Sequence, residues 1–188
     1  VYALDGGVYS ASAAVNWGRS LGLFQDFDWL NRLEGPPALE GGLAFVPALS
    51  GLACPHWDRQ ARGTWVGLSI DHGPAELMKS ILEGVACRAA EVVQAMSSLL
   101  PASGPLSIDG GMSANPYFLQ FLADILEREL KVSTNAELTG SGTAKLAARG
   151  DRGAPRSRES RSCAWRSLPS QSGAPPRPGT AAGSAWRG

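Results

Sequence analysis

Residues 106–126, LSIDGGMSANPYFLQFLADIL, constrain the fold more than any other stretch. Leu106-Ser107-Ile108-Asp109 alternates apolar and polar residues, as a short strand does. Gly110-Gly111 then lets the backbone turn where a side chain would collide. Pro116 suits a first helical position and Asn115, just before it, suits an N-cap. Phe118, Phe121, Leu122 and Ile125 recur at helical spacing. The spacing predicts strand, glycine turn and helix, with two side-chain-free residues at the mouth. Free backbone N–H groups and the positive end of a helix dipole suit a phosphate or the polar edge of a nucleotide. Plain connection is the commoner use of such a turn, so by itself it is weak evidence for a ligand.

Upstream, residues 8–23 read as a helix on Val8, Ala11, Val15 and Leu21 or Leu23. Its small residues Ser10, Ser12, Ala13 and Ala14 form a low surface for a planar ligand or for a packed backbone. Asp28 is expected to cap a second, short helix through Trp29, Leu30 and Leu33, ended by Gly35-Pro36-Pro37. Residues 43–47, LAFVP, are expected as a buried strand rather than an edge. The loop 50–63 is expected to be pinned by Trp57 and by an Asp58–Arg62 ion pair. Neither His56 nor His72 has a partner pattern that marks a general base. Residues 64–69 are strand-like. From Ala75 to about residue 100 runs the strongest periodic signal, with Met78, Ile81, Leu82, Val85, Ala89, Val92, Met96 and Leu99 on one stripe. A strand is expected near residues 130–133, then a second glycine turn at residues 138–144 leading into a small-residue helix.

Alternating strands and helices predict an α/β layered structure. Neither G-x-G-x-x-G after a strand nor G-x-x-x-x-G-K-[ST] is present. Lys+Arg 17 against Asp+Glu 17 gives no net charge, so nucleic acid and acidic membranes are not expected as partners. Cys54, Cys87 and Cys163 lie far apart, without the spacing of a disulfide framework or zinc site. No apolar run is long enough for a bilayer, and the first residues lack a secretory pattern, so a cytoplasmic setting is expected. Val1 in place of methionine suggests a processed chain or a fragment. Beyond Gly150 the chain turns to Arg, Ser, Gly, Ala and Pro without apolar period, the composition of a disordered tail. The same mixture arises when GC-rich DNA is read out of frame.

Gly63-Thr64-Trp65-Val66-Gly67-Leu68, then Glu76-Leu77, then Ser80-Ile81-Leu82-Glu83 fit a signature of the FGGY family of carbohydrate kinases. Tyr2-Ala3-Leu4-Asp5-Gly6, Val46-Pro47-Ala48 through Asp58, and Asp109-Gly110-Gly111 through Asn115 agree with it. Residues 1–148 thus resemble the C-terminal half of an FGGY kinase, and the Pro-His-Trp-Asp loop and Tyr-Ala-Leu-Asp-Gly opening resemble its glycerol-phosphorylating branch. The resemblance implies an actin/hexokinase-like (ribonuclease H-like) ATPase lobe over residues 1–149, followed by the tail 150–188. It implies ATP and Mg2+ as cofactors, phosphorylation of glycerol to glycerol 3-phosphate, and nucleotide contact by Ser12, Asn16, Gly110, Gly111 and Asn115. Ser12 stands where the glycerol-phosphorylating branch usually has glycine, and Asn16 where many of its members have glutamine.

The polyol site and the catalytic aspartate of the family match nothing downstream of Val1, so no catalytic residue is assigned. The chain is expected to be inactive alone, and a homo-oligomer is left open. The alternatives are another FGGY sugar kinase, or a non-catalytic module that binds nucleotide or a partner protein.

Overall fold

The computed structural model describes residues 4–101, 104–134, 138–150 and 165–171. In order these form α1 (Ala11–Ser20), α2 (Phe27–Leu30), β1 (Ala44–Val46), β2 (Thr64–Val66) and α3 (Pro74–Leu99). Then come β3 (Leu106–Ile108), α4 (Pro116–Leu126), β4 (Leu130–Ser133), α5 (Leu138–Gly150) and β5 (Trp165–Leu168). A 3-10 turn, Gly111–Ala114, separates the predicted glycine turn from α4.

The helix α3 is the axis of the molecule. Pro74 occupies its first turn, and the Glu76 carboxylate accepts the Gly73 N–H at 3.0 Å, closing its N-terminus. The predicted stripe is inside at Met78, Ile81, Leu82, Val85 and Val92, whereas Leu99 at the far end is exposed. Burial is wider than the stripe, because every residue from Met78 through Ala86 is buried. α1, α4 and β1 all pack against this helix. At Gly84 the β1 backbone lies so close that an added Cβ would sit 2.2 Å from the Phe45 carbonyl oxygen. Beside that contact Trp17, Phe45 and Trp65 stack with ring centroids 4.7 to 5.8 Å apart, and the Trp65 indole N–H donates to Ser80 Oγ at 2.9 Å.

β1 and β2 pair antiparallel, Phe45 opposite Trp65. The second sheet has the order β3-β4-β5, with β3 and β4 parallel and joined through α4. α4 packs Phe118, Leu119, Phe121, Leu122 and Ile125 into the same core as α3.

Several expectations are corrected. α1 is shorter than residues 8–23, because Ser10 (φ 60°) and Gly22 (φ 77°) leave the helical region on either side. The α2 cap is Asp26, which accepts the Trp29 N–H at 2.7 Å, and Asp28 sits in the first turn. β1 is buried by α3 rather than by flanking strands, since its sheet has two strands. Trp57 is 68% exposed and pins nothing. Asp58 does not pair with Arg62: its carboxylate accepts the Gln60 and Ala61 N–H groups, and Arg62 donates to the carbonyls of Arg59, Gln60 and Ala61. A tight turn brings those backbone groups closer than the opposite charge. Gly140 and Gly142 lie inside α5, where Ala144, Leu146 and Ala147 outweigh the cost of glycine in a helix. Within the stretch expected to be disordered, residues 165–168 form β5, antiparallel to β4, and the Gln171 N–H donates to Asp124 at 2.7 Å. The rest of the tail, 151–164 and 172–188, lies outside the described residues.

The contact at Gly84 sets two effects against each other. Alanine gains about 1 kcal/mol in helix propensity over glycine, but its methyl would overlap a backbone carbonyl that cannot rotate away. Overpacking wins, and Gly84→Ala is expected to destabilise the chain by about 2 kcal/mol in urea unfolding; equal or greater stability would show that β1 is free to lift from α3.

Candidate functional site

α1 crosses one side of α3, and the turn before α4 lies on the other side of a cavity of about 370 Å3. α1 contributes Ser12, Val15 and Asn16 to its wall; the turn contributes Gly111, Met112 and Asn115. α2 and its C-cap add Phe27, Leu30 and Asn31, and Leu82 of α3 closes the floor. The volume is that of a small-molecule site. The chemistry is apolar with a few amides and one hydroxyl; none of these lining residues is charged. Such walls suit the flat, uncharged part of a ligand better than its phosphates.

The structure brings together four of the five residues implied by resemblance: Ser12 and Asn16 on one wall, Gly111 and Asn115 on the other. Gly110 lies just outside the lining. Its φ of 90° and ψ of 176° belong to a region that only glycine enters readily, and this turn sets the direction in which Gly111 leaves β3. At Gly111 an added Cβ would meet nothing within 4 Å. Asn115 caps α4 as predicted, accepting the Phe118 N–H on Oδ1 at 2.8 Å, and is buried. Its Nδ2 donates to the Leu30 carbonyl at 3.0 Å and to Asn31 Oδ1 at 3.2 Å, tying α2 to α4. Sequence reasoning missed Val15, Phe27, Leu30, Asn31, Leu82 and Met112 as parts of the site. Leu82 and Met112 carry no polar signal, and Asn31 follows a four-residue helix too short to show a period.

The family model for the C-terminal domain of FGGY carbohydrate kinases matches residues 1–150. The chain belongs to this family. It is 40% identical over 150 residues to the glycerol kinase of Alkalilimnicola ehrlichii, a match covering 79% of this chain and 30% of that protein. It is 40% identical over 147 residues to the glycerol kinase of Thermus brockianus, covering 76% of this chain and 29% of the relative. The chain therefore spans about 30% of the length of the curated relatives it matches. In structure it resembles Plasmodium falciparum glycerol kinase with ADP at a TM-score of 0.64 and 30% identity, over 74% of this chain and 28% of that one. It resembles a xylulose kinase from Brucella ovis at 0.65 and 26% identity, over 76% and 30%. These neighbours bear out the actin/hexokinase-like α/β lobe.

The FGGY signature ends on Glu83, and the structure shows what that carboxylate holds. Its oxygens accept the Ala38 N–H at 2.7 Å, the Leu39 N–H at 2.8 Å and the Tyr117 hydroxyl proton. Lys79, one turn away, donates to the Pro36 carbonyl at 3.2 Å and lies 5.6 Å from the Tyr117 ring. The segment after α2 is thus fastened to α3 and α4 by buried polar groups. Burial raises the Glu83 pKa above the ordinary 4.5; the Tyr117 hydroxyl, the two N–H groups and Lys79 offset part of this. The neighbouring Tyr117 hydroxyl is held up as well, by burial first and by the Glu83 charge second.

A raised carboxyl binds its proton more tightly folded than unfolded. Its contribution to stability is complete below 4.5 and declines as pH rises through the folded value. Urea unfolding from about pH 4 to about pH 8 is expected to show the wild type losing stability relative to Glu83→Gln across that window, then running parallel to it. A wild type that instead gains stability relative to Glu83→Gln as pH rises would reverse the assigned shift.

Proposed function

We propose that this chain is the nucleotide side of an ATP-dependent polyol kinase, with glycerol as the polyol. The observation that carries the reading is the cavity: it sets the α1 surface, Ser12 and Asn16, against the glycine turn, Gly111 and Asn115, in one uncharged pocket. Curated relatives named glycerol kinase and a glycerol kinase structure with ADP support both the nucleotide and the polyol. The likeness to a xylulose kinase supports a second reading, another FGGY sugar kinase with the same nucleotide side.

In phosphoryl transfer, proteins contribute positioning and electrostatic stabilisation rather than covalent chemistry. On this reading the apolar walls Val15, Leu30 and Leu82 exclude water from the base, and the amides fix its orientation. The open backbone at Gly111 lets the ligand approach more closely than a side chain would allow. Among the described residues no three His, Cys, Asp or Glu groups gather to hold a metal ion, so these residues form no cluster that would hold the expected Mg2+ by themselves. The hydroxyl-activating base and the polyol pocket belong, on this reading, to the remainder of a whole kinase, and this chain alone is expected to bind without turnover.

Gly111→Val tests the pocket without disturbing the fold, because the space beside Gly111 is open. Titration of ADP is expected to show at least about a tenfold weaker Kd for Gly111→Val than for the wild type, at nearly equal melting temperature. Equal affinities, or no measurable binding by the wild type, would remove the reading.

A further inference from the structure

The two amides where α2 meets α4 are not equivalent. A primary amide carries two donor hydrogens and one acceptor oxygen. Asn115 uses both hydrogens, on the Leu30 carbonyl and on Asn31 Oδ1, and its oxygen takes the Phe118 N–H. It has no donor left for a ligand. Asn31 is the reverse. Its oxygen receives the Asn115 hydrogen and its backbone N–H donates to the Phe27 carbonyl at 2.8 Å, while its own Nδ2 has no partner among the described residues. Asn31 is half-buried and lines the cavity. With the oxygen end held by Asn115, the NH2 end is the one left to face a ligand.

We propose that Asn31 sets the base specificity of the cavity, donating from Nδ2 to a ring nitrogen of adenine, and that Asn115 positions it. The inference rests on the nucleotide reading above and adds to it the residue that reads the base. Adenine presents an unprotonated ring nitrogen on its pairing edge, where guanine presents an N–H. A donor facing that edge is satisfied by adenine and opposed by guanine. Leu30, Leu82 and Met112 of the same lining are apolar, so against guanine the Asn31 donor meets a second donor instead of an acceptor.

The test titrates ADP and GDP against the full chain and its Asn31→Asp variant. Aspartate keeps an oxygen for the Asn115 hydrogen and exchanges the free NH2 for an acceptor. Both nucleotides carry the same diphosphate, so charge repulsion or partial loss of fold weakens both alike and cancels in their ratio. The wild type is expected to prefer ADP, and Asn31→Asp to lower the ADP:GDP affinity ratio by about tenfold or more. Asn31→Ala, which removes the donor without adding charge, is expected to bring the ratio toward unity. A ratio unchanged in both variants, or a wild type that binds the two nucleotides equally, overturns the assignment of Asn31 and leaves the pocket reading standing. A wild type that binds neither nucleotide overturns the pocket reading and this inference together.

Discussion

A helix buried on every side has no solvent face on which to leave a polar residue. That is the condition of α3 between Met78 and Ala86, and much of the molecule follows from it. Each polar group there must find a partner or carry a desolvation penalty of order a few kcal/mol. Ser80 takes the Trp65 indole and so fixes β2; Glu83 takes two successive backbone N–H groups and Tyr117. Lys79 takes the Pro36 carbonyl. Farther along, Arg88 donates to the Cys54 carbonyl at 2.7 Å and pairs with Glu91, which also meets His56 at 3.2 Å. The polar residues of α3 therefore fasten loops, β2 and Tyr117 of α4, while its apolar residues carry the core packing. Each such bond adds little net stability, because the same groups bond to water in the unfolded chain; their weight lies in excluding other arrangements of the loops.

This division explains what could be read in advance. Met78, Ile81, Leu82 and Val85 announce themselves by period, and Asn115-Pro116 by cap chemistry, because both signals are local. The backbone partners of Lys79 and Glu83 lie more than forty residues away in the segment before β1, and Tyr117 lies on α4, so nothing near either residue distinguishes it from an ordinary exposed helix charge. Local reasoning also favoured the wrong partner for Asp58: opposite charge four positions on loses to backbone N–H groups two and three positions on. β5 was illegible for a related reason. A four-residue strand that borrows its order from the edge of β4 needs no apolar period of its own.

The site shows the same split between local and long-range information. Ser12 and Asn16 are a turn apart on α1, and Gly111 and Asn115 bracket a 3-10 turn; the small residues around Ser12 and the glycine turn are visible in sequence as surfaces, whereas Asn16 comes from the family resemblance. That the two surfaces face one another is set by α3, against which α1 and α4 both pack. Asn31 enters the wall because Asn115 draws the end of α2 toward α4, a bond spanning 84 positions. No local pattern carries that contact.

The absence of charge from the lining residues follows from the same construction. The cavity opens between helices whose inward faces serve the core, so its walls inherit core chemistry: Val15, Leu30 and Leu82 from the packing, and amides where α2 is tied to α4. A pocket made this way suits a planar, neutral group that gains from dispersion and a few directed hydrogen bonds, and it suits a phosphate poorly. On the proposed nucleotide reading, the charge-bearing parts of the ligand lie toward the rim, near the turned backbone at Gly110 and Gly111 and the start of α1. Separating a neutral binding pocket from a charged reacting end serves phosphoryl transfer, where the base is held for position and the phosphates for their developing charge. On the proposed nucleotide reading, this lobe serves the first of those tasks.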